Sequence, residues 1–300
     1  MRVDPNYVTN LVSSLDQTQG REQQLTNELS TGLRFSALGD DPVSAGQNVL
    51  LLNQIQQDDS FTQSSSLVTG QLQVADSALG SVVSQLTQAI SLATSANNGT
   101  MNASDVQYIG EQISGIASEV ESLANSSYQG QYIFAGGQTT TVPFATSNAT
   151  SPATTTYNGD SDVNYLETPN GQKIQLNVPG NQIFQGSTSV FGVLNKLVAD
   201  YSTGTVDTAQ ATQDTQALTS ALNTVSQQRV TIDNSITQVQ AASSAITTES
   251  TQLSASQTDL MQADVATVAT QLSLSQTQET ALESVISQLG SGSLFDKLQA

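Results

Sequence analysis

The sequence predicts a mainly α protein with a β insertion: a long helical bundle or coiled coil built from the N- and C-terminal segments, carrying a small inserted β-rich domain. Three observations predict it. Apolar residues recur at steps of three and four through both end segments. Ile232, Val239, Ile246, Leu253 and Leu260 stand seven residues apart. Between Gln131 and about Tyr201 the texture changes to Gly, Pro and short alternating runs. The first two are marks of helical faces and coiled-coil columns, and the third of strands joined by turns.

In chain order, Val8, Leu11, Leu15, Leu25 and Leu29 fall on one helical face, with polar Thr18 and Glu22 at the same spacing. Gly32, just past the last periodic residue, suits a helix end. A second run, Val68, Leu72, Ala75, Leu79, Val82, Leu86 and Ala93, begins near Pro42 and fades in the turn Ala96 to Thr100. A third, Val106, Ile109, Ile113, Ile116, Val120 and Leu123, follows the capping signal "NAS". The last two are expected to form an antiparallel hairpin.

In the insertion, "VNYLET" and "KIQLNV" read as strands joined by "PNG". Ile174, Leu176 and Val178 alternate there with Lys173, Gln175 and Asn177. Helical periodicity returns after about Val206. The heptad partners of the Ile232–Leu260 column are Ile236, Ser243, Ser250, Gln257 and Asp264, so one column is apolar and the other weak. A second register runs through Met261, Val265, Val268, Leu272, Leu282, Ile286 and Leu289, interrupted by Ser275 and Glu279. The expected domains are an N-terminal assembly helix at 1–40 and the first half of a helical rod at 41–136. The β-rich insertion at 137–205, the second half of the rod at 206–258 and a C-terminal assembly helix at 259–300 follow.

Composition removes several classes of function. The 300 residues carry a net charge of −19 with only seven basic residues, and no His, Cys or Trp. Scattered Lys and Arg cannot neutralise a run of phosphates or hold an anionic membrane surface, so neither nucleic acid nor membrane is expected as a partner. No stretch approaches 18 consecutive apolar residues, and Asp4 and Pro5 stand where a secretory signal would need its apolar region. Without His or Cys there is no Ser-His-Asp triad, no thiol nucleophile and no His- or Cys-bound zinc. Carboxylate pairs, a Ser–Lys pair or an all-oxygen cation site remain possible.

Asp40 and Asp41 come first. Adjacent residues on a helix do not face each other, so the pair is badly placed to share a proton or a metal. Pro42 supplies another role, because proline favours the first helical position and the Asp before it caps free N–H groups. A negative charge there also complements the helix dipole. Arg34 is near enough in sequence to pair with either carboxylate. Asp160, Asp162 and Asn164 begin like a calcium loop, but its sixth position is Tyr165 and its twelfth Gly171, where Gly and Glu are needed. Asp58 and Asp59 are expected on an exposed helix face. Asn98, Asn102, Asn125 and Asn148 head Asn-x-Ser/Thr triplets, which chance supplies in a chain this rich in those residues. No catalytic, cofactor-binding or metal residue is assigned, and no enzyme activity is expected.

With the sites disposed of, the terminal seams stand out. The few large apolar side chains of the first 35 residues are too sparse to offset the entropy of ordering that segment. Both chain ends are expected to fray alone and to order against partners.

The stretch "LSTGLRFSALGDDPVSAG", Leu29 to Gly46, resembles the N-terminal signature shared by flagellins and the hook–filament junction family, hook-associated protein 3. Flagellins usually read Asp-Asp-Ala there, whereas Asp41–Pro42–Val43 is similar to the junction branch. "NNGTMNASD", "LANSSYQGQYIFAGGQTTTVPF" and "ADVATVATQLSLSQTQETALESVISQLGSGSLFDKL" carry the resemblance over about residues 1–145 and 225–298. It implies a structural protein of the bacterial flagellum, extracellular and exported without a cleavable signal peptide. Its implied partners are hook-associated protein 1, flagellin and other copies of itself in a ring, with an export chaperone and the type III export apparatus beforehand. The implied assembly contacts fall on Leu11, Leu15, Leu25, Leu29, Val265, Val268, Leu272, Leu282, Ile286 and Leu289. Gly32, Arg34, Asp40, Asp41 and Pro42 would shape the turn that joins the terminal helix to the wall. The nearest alternative is flagellin, the bulk filament subunit. A signalling coiled coil and a glycan-binding or enzymatic β domain are the readings from other classes.

Overall fold

The computed structural model describes residues 7–37, 39–97, 101–185 and 188–291. The chain separates into two units, Met1–Gln56 with Glu249–Ala300, and Gln57–Thr248. Among the described residues there are seven helices: α1 Tyr7–Thr31, α2 Pro42–Ala96, α3 Ala103–Ala124, α4 Gly180–Phe184, α5 Val190–Ser202, α6 Thr208–Met261 and α7 Val265–Ser291. Short strands lie between α3 and α4, so the protein is mainly α with a small β insertion.

In the unit Gln57–Thr248 the core is a pair of heptad columns. On α2 one column is Asp58, Ser65, Leu72, Leu79, Leu86 and Ala93, and the other includes Phe61, Ala75, Val82, Ala89 and Ala96, all buried. On α6 the matching columns hold Ala211, Leu218, Val225, Ile232, Val239 and Ile246, with Asp214, Ala221 and Ser235. The two helices run antiparallel: Asn97 Nδ2 donates to Thr212 Oγ1 at 3.2 Å, and Arg229 clasps Asp76 with Nε–Oδ1 at 2.6 Å and Nη2–Oδ2 at 3.2 Å. Helix α3 adds Val106, Ile109, Ile113, Ile116 and Val120 to the same cluster. Its N-cap is Asn102, whose side chain accepts from the Asp105 N–H at 2.9 Å.

Hydroxyl-rich faces stay helical because their Ser and Thr side chains bond back to the carbonyl four residues earlier. Thr69 to Ser65, Thr87 to Val83 and Thr94 to Ile90 do so at 2.7–2.8 Å.

The insertion holds three antiparallel hairpins. They are β1 Ser127–Tyr128 with β2 Gln131–Tyr132, β3 Phe144–Ser147 with β4 Thr154–Tyr157, and β5 Tyr165–Glu167 with β6 Lys173–Gln175. In the last, Leu166 faces Ile174 across the "PNG" turn. The strands share the helical core: Phe134, Phe144, Ile174, Phe184 and Phe191 lie in one cluster with α2, α3 and α6. Gly180 makes this possible, since a Cβ there would stand 2.7 Å from the Phe144 ring and 2.8 Å from the Phe134 carbonyl.

Two expectations need correcting. The stretch 137–205 is not only strand and turn, because Val190, Leu194, Leu197 and Tyr201 line the buried face of α5. Asp58 is fully buried, while Asp59 is exposed. The heptad column of α2 extends back through Ser65 to Asp58, a continuation that polar residues hide from a search for apolar periodicity.

Candidate functional site

The unit Met1–Gln56 with Glu249–Ala300 contains both terminal helices and the turns that hold them. Helix α1 stops at Gly32, whose φ of +69° suits glycine and whose N–H donates to the Glu28 carbonyl at 2.9 Å. The chain then crosses the link between α6 and α7. Arg34 N–H donates to the Met261 carbonyl at 2.7 Å, and Ala263 N–H to the Gly32 carbonyl at 2.9 Å. These bonds clip the two reversals together around an antiparallel bridge between Leu33 and Gln262. Phe35 is buried beside them, with the Arg34 guanidinium 5.9 Å from its ring centre.

The two aspartates divide the work of the first turn. Asp40 Oδ2 accepts from the N–H groups of Ser36 and Ala37 at 3.1 and 3.0 Å, closing the loop before α2. Asp41 stands next to Pro42, the first residue of α2, and accepts from the Ser44 N–H at 3.1 Å. Arg34 Nη2 reaches Asp41 Oδ2 at 3.0 Å and the Ser44 hydroxyl at 2.5 Å. Backbone donors from Ala37 and Ser36 hold the Asp40 carboxyl below its ordinary range. The Ser44 hydroxyl and N–H, with Arg34 behind them, do the same for Asp41.

A second cap of the same design begins α7. Asp264 accepts from the N–H groups of Ala266 and Thr267 at 3.1 and 3.3 Å and from the Thr267 hydroxyl at 2.8 Å. Sequence reasoning treated Asp264 only as a polar heptad position. The Asp-x-x-Thr spacing, parallel to Asp41-x-x-Ser44, is the signal that reveals it.

Helices α1 and α7 pack antiparallel, and the apolar contact between them is thin. Leu25 and Val268 are buried with Ala263, and Leu272 is half-buried against them. Leu11, Leu15, Leu282 and Ile286 are half-buried, whereas Leu29 and Val265 are 38% and 54% exposed. The side chains of Val8 and Leu289 lie outside the described residues. Opposite polar Thr18 and Glu22 come Ser275 and Glu279 of α7, where Gln19 Nε2 donates to Glu279 Oε1 at 2.9 Å. Apolar surface is also left open on neighbouring helix faces: Val43 and Leu50 of α2, one heptad apart, are 71% and 70% exposed. Their spacing is visible in the sequence, although they were not singled out there.

The remaining candidates have structural roles. Asp160 Oδ1 accepts from the N–H groups of Gly137 and Asp162 at 2.6 and 3.0 Å, bracing the Gly136–Gly137 turn. Asn164 N–H donates to Asn177 Oδ1 at 2.8 Å. Among the described residues no group of three or more acidic side chains is arranged to hold a metal ion, and no helix is long and apolar enough to cross a membrane. Asn102 and Asn125 serve α3 as caps, and Asn98 lies outside the described residues.

Residues 6–139 match the model of the bacterial flagellin N-terminal helical region. The chain is 28% identical over 179 residues to flagellar hook-associated protein 3 of Salmonella typhimurium strain LT2, covering 59% of this chain and 55% of that one. To flagellar hook-associated protein 3 of Escherichia coli strain K12 it is 25% identical over 215 residues, covering 67% and 66%. The matches thus span between about half and two thirds of those relatives' length. Among solved structures, the fold is similar to a flagellar hook-associated protein from Vibrio parahaemolyticus (TM-score 0.67, 17% identity, 74% of this chain and 100% of that one). It is also similar to the flagellar junction protein from Legionella pneumophila (TM-score 0.59, 13% identity, 72% and 100%). The matched stretch contains α1, the capped turn and α2, and over it the chain is similar to the N-terminal helical region of bacterial flagellins.

Proposed function

We propose that this protein is a structural subunit of the bacterial flagellum, forming the junction layer between hook-associated protein 1 and the flagellin filament. The observation that carries this reading is that both curated relatives are hook-associated protein 3, and that their likeness meets a terminal helix pair with little cover of its own. In the proposed mechanism α1 and α7 are weakly paired in the solitary chain. Neighbouring copies, hook-associated protein 1 on one side and flagellin on the other, bury Leu11, Leu15, Leu29, Val265, Leu282 and Ile286. The capped turn from Gly32 to Pro42 fixes how α1 leaves α2. Before assembly, a chaperone of the export pathway covers the same apolar positions, and the chain travels unfolded to the flagellar tip.

Labelling of flagella against this chain tests the position. Label confined to the junction at the filament's base is expected, while label along the whole filament would mean a flagellin. Replacing Leu282 and Ile286 by Ser is expected to leave the unit Gln57–Thr248 folded but to stop filament growth beyond the hook. Filaments of normal length from that variant would refute the mechanism.

A further inference from the structure

We propose that Glu22 of α1, set against Glu279 of α7, works as a proton-operated catch, which loosens the terminal helix pair when Glu22 is charged and tightens it when Glu22 takes up a proton. The catch does not rest on the junction role, because it is a property of the solitary chain.

Register carries the proposal. On α1 the inward positions run Leu11, Leu15, Thr18, Glu22, Leu25, and on α7 they run Val268, Leu272, Ser275, Glu279, Leu282, Ile286. Antiparallel packing sets the polar pairs at one level, next to the apolar contact of Leu25 with Val268 and Leu272. A polar layer in an apolar seam normally closes its own hydrogen bonds. This one is incomplete: Glu22 Oε1 and the hydroxyl of Ser275, a residue only 4% exposed, are buried without a well-formed hydrogen bond, although Ser275 lies close enough to Glu22 to favour its charged form. Gln19 supplies a single donor, and it goes to Glu279.

Among the described residues no cation faces Glu22. The charged groups that face Glu22 are Glu279 and Glu283, both on α7. Along α1, the residues one turn away from Glu22 are Thr18, Gln19, Leu25 and Thr26, none of them charged. Arg21 is exposed and adjacent in sequence, so it lies on another face. Two carboxylates on facing helices repel, and the Ser275 hydroxyl beside Glu22 and the Gln19 amide on Glu279 offset this only in part, whereas one proton taken from solvent turns Glu22 into a donor. Burial, then the charge and hydrogen bonding of Glu279, accordingly push the Glu22 carboxyl above its ordinary range. The sign follows: closure is complete below the ordinary glutamate range and is lost as pH rises through the raised value.

The test uses the full-length chain. Because the chain has no native Cys, nitroxide labels at Gln23→Cys and Gln276→Cys, both exposed positions, report the α1–α7 distance. Between about pH 8 and about pH 5 the ratio of the close to the dispersed population is expected to rise roughly twofold or more, the order for relief of one like-charge pair on facing helices. Glu22→Gln and, separately, Glu279→Gln each provide an amide donor at every pH. Both are expected to hold that ratio at or above the acid value throughout. A distance distribution that does not change with pH in the parent chain overturns the proposal. So does a pH response that survives in Glu22→Gln or in Glu279→Gln. Since no filament is involved, either result leaves the junction reading untouched.

Discussion

Asp41 accepts both hydrogen-bond donors of Ser44, the backbone N–H at 3.1 Å and the hydroxyl at 2.6 Å. The side chain therefore caps α2 and at the same time fixes the first turn in the orientation that Arg34 reads. The charge serves the N–H groups at the start of a helix.

Asp41→Ala should fray the start of α2 without unfolding the unit Gln57–Thr248. Amide exchange at Val43 to Gly46 is expected to quicken several-fold, as for loss of a helix N-cap. Asp41→Asn, which keeps an acceptor, should restore most of the protection. Because hydrogen bonds to the charged form lower its pKa, this contribution is present above the ordinary Asp value of 3.8 and is lost as pH falls below it. The same sign holds for Asp264, whose bonds from Thr267 lower it too, and it is opposite to that of Glu22.

The β insertion is tied to the helices through its aromatic cluster. Phe144 is 1% exposed, and its ring centre lies 5.0 to 5.2 Å from those of Tyr157, Phe184 and Phe191. Phe144→Ala is expected to cost about 3–5 kcal/mol in urea unfolding of the unit Gln57–Thr248. Gly180→Ala should also destabilise, since the new methyl meets both the Phe144 ring and the Phe134 carbonyl. A loss confined to the strands, with the helical signal unchanged, would show that the insertion folds independently.

The Arg229–Asp76 clasp joins α6 to α2 with two parallel bonds. Arg229→Lys keeps the charge but not the fork, so a loss of about 0.5–1 kcal/mol in the unfolding midpoint analysis is expected. Both partners are partly exposed, and the difference between variant and parent should shrink in concentrated salt.

Much of this fold is written in apolar spacing. The steps through Leu72 to Ala93, Val106 to Leu123 and Ile232 to Ile246 mark columns that are buried in the structure. What the spacing hides are the places where polar residues occupy inward positions. Asp58 and Ser65 continue the α2 column invisibly, and Asp214 and Ser235 do the same on α6. Helix α5 escaped because the Gly- and Pro-rich texture of the stretch that contains it hides its apolar face, and its packing on α3 is a tertiary choice. Around the terminal helices, the role of Asp41 was legible because Pro42 follows it. That of Asp264 was not, because its cap depends on where α6 breaks. The opposition of Glu22 to Glu279 needs the register of two segments far apart in sequence, which no single-segment pattern contains.

Hydrogen exchange on the dilute, solitary chain tests most directly whether the terminal helices depend on assembly. Fast exchange across Tyr7–Thr31 and Val265–Ser291, beside slow exchange through the columns from Leu72 to Val239, is the expected result. Protection of α1 and α7 equal to that of the central columns would contradict it.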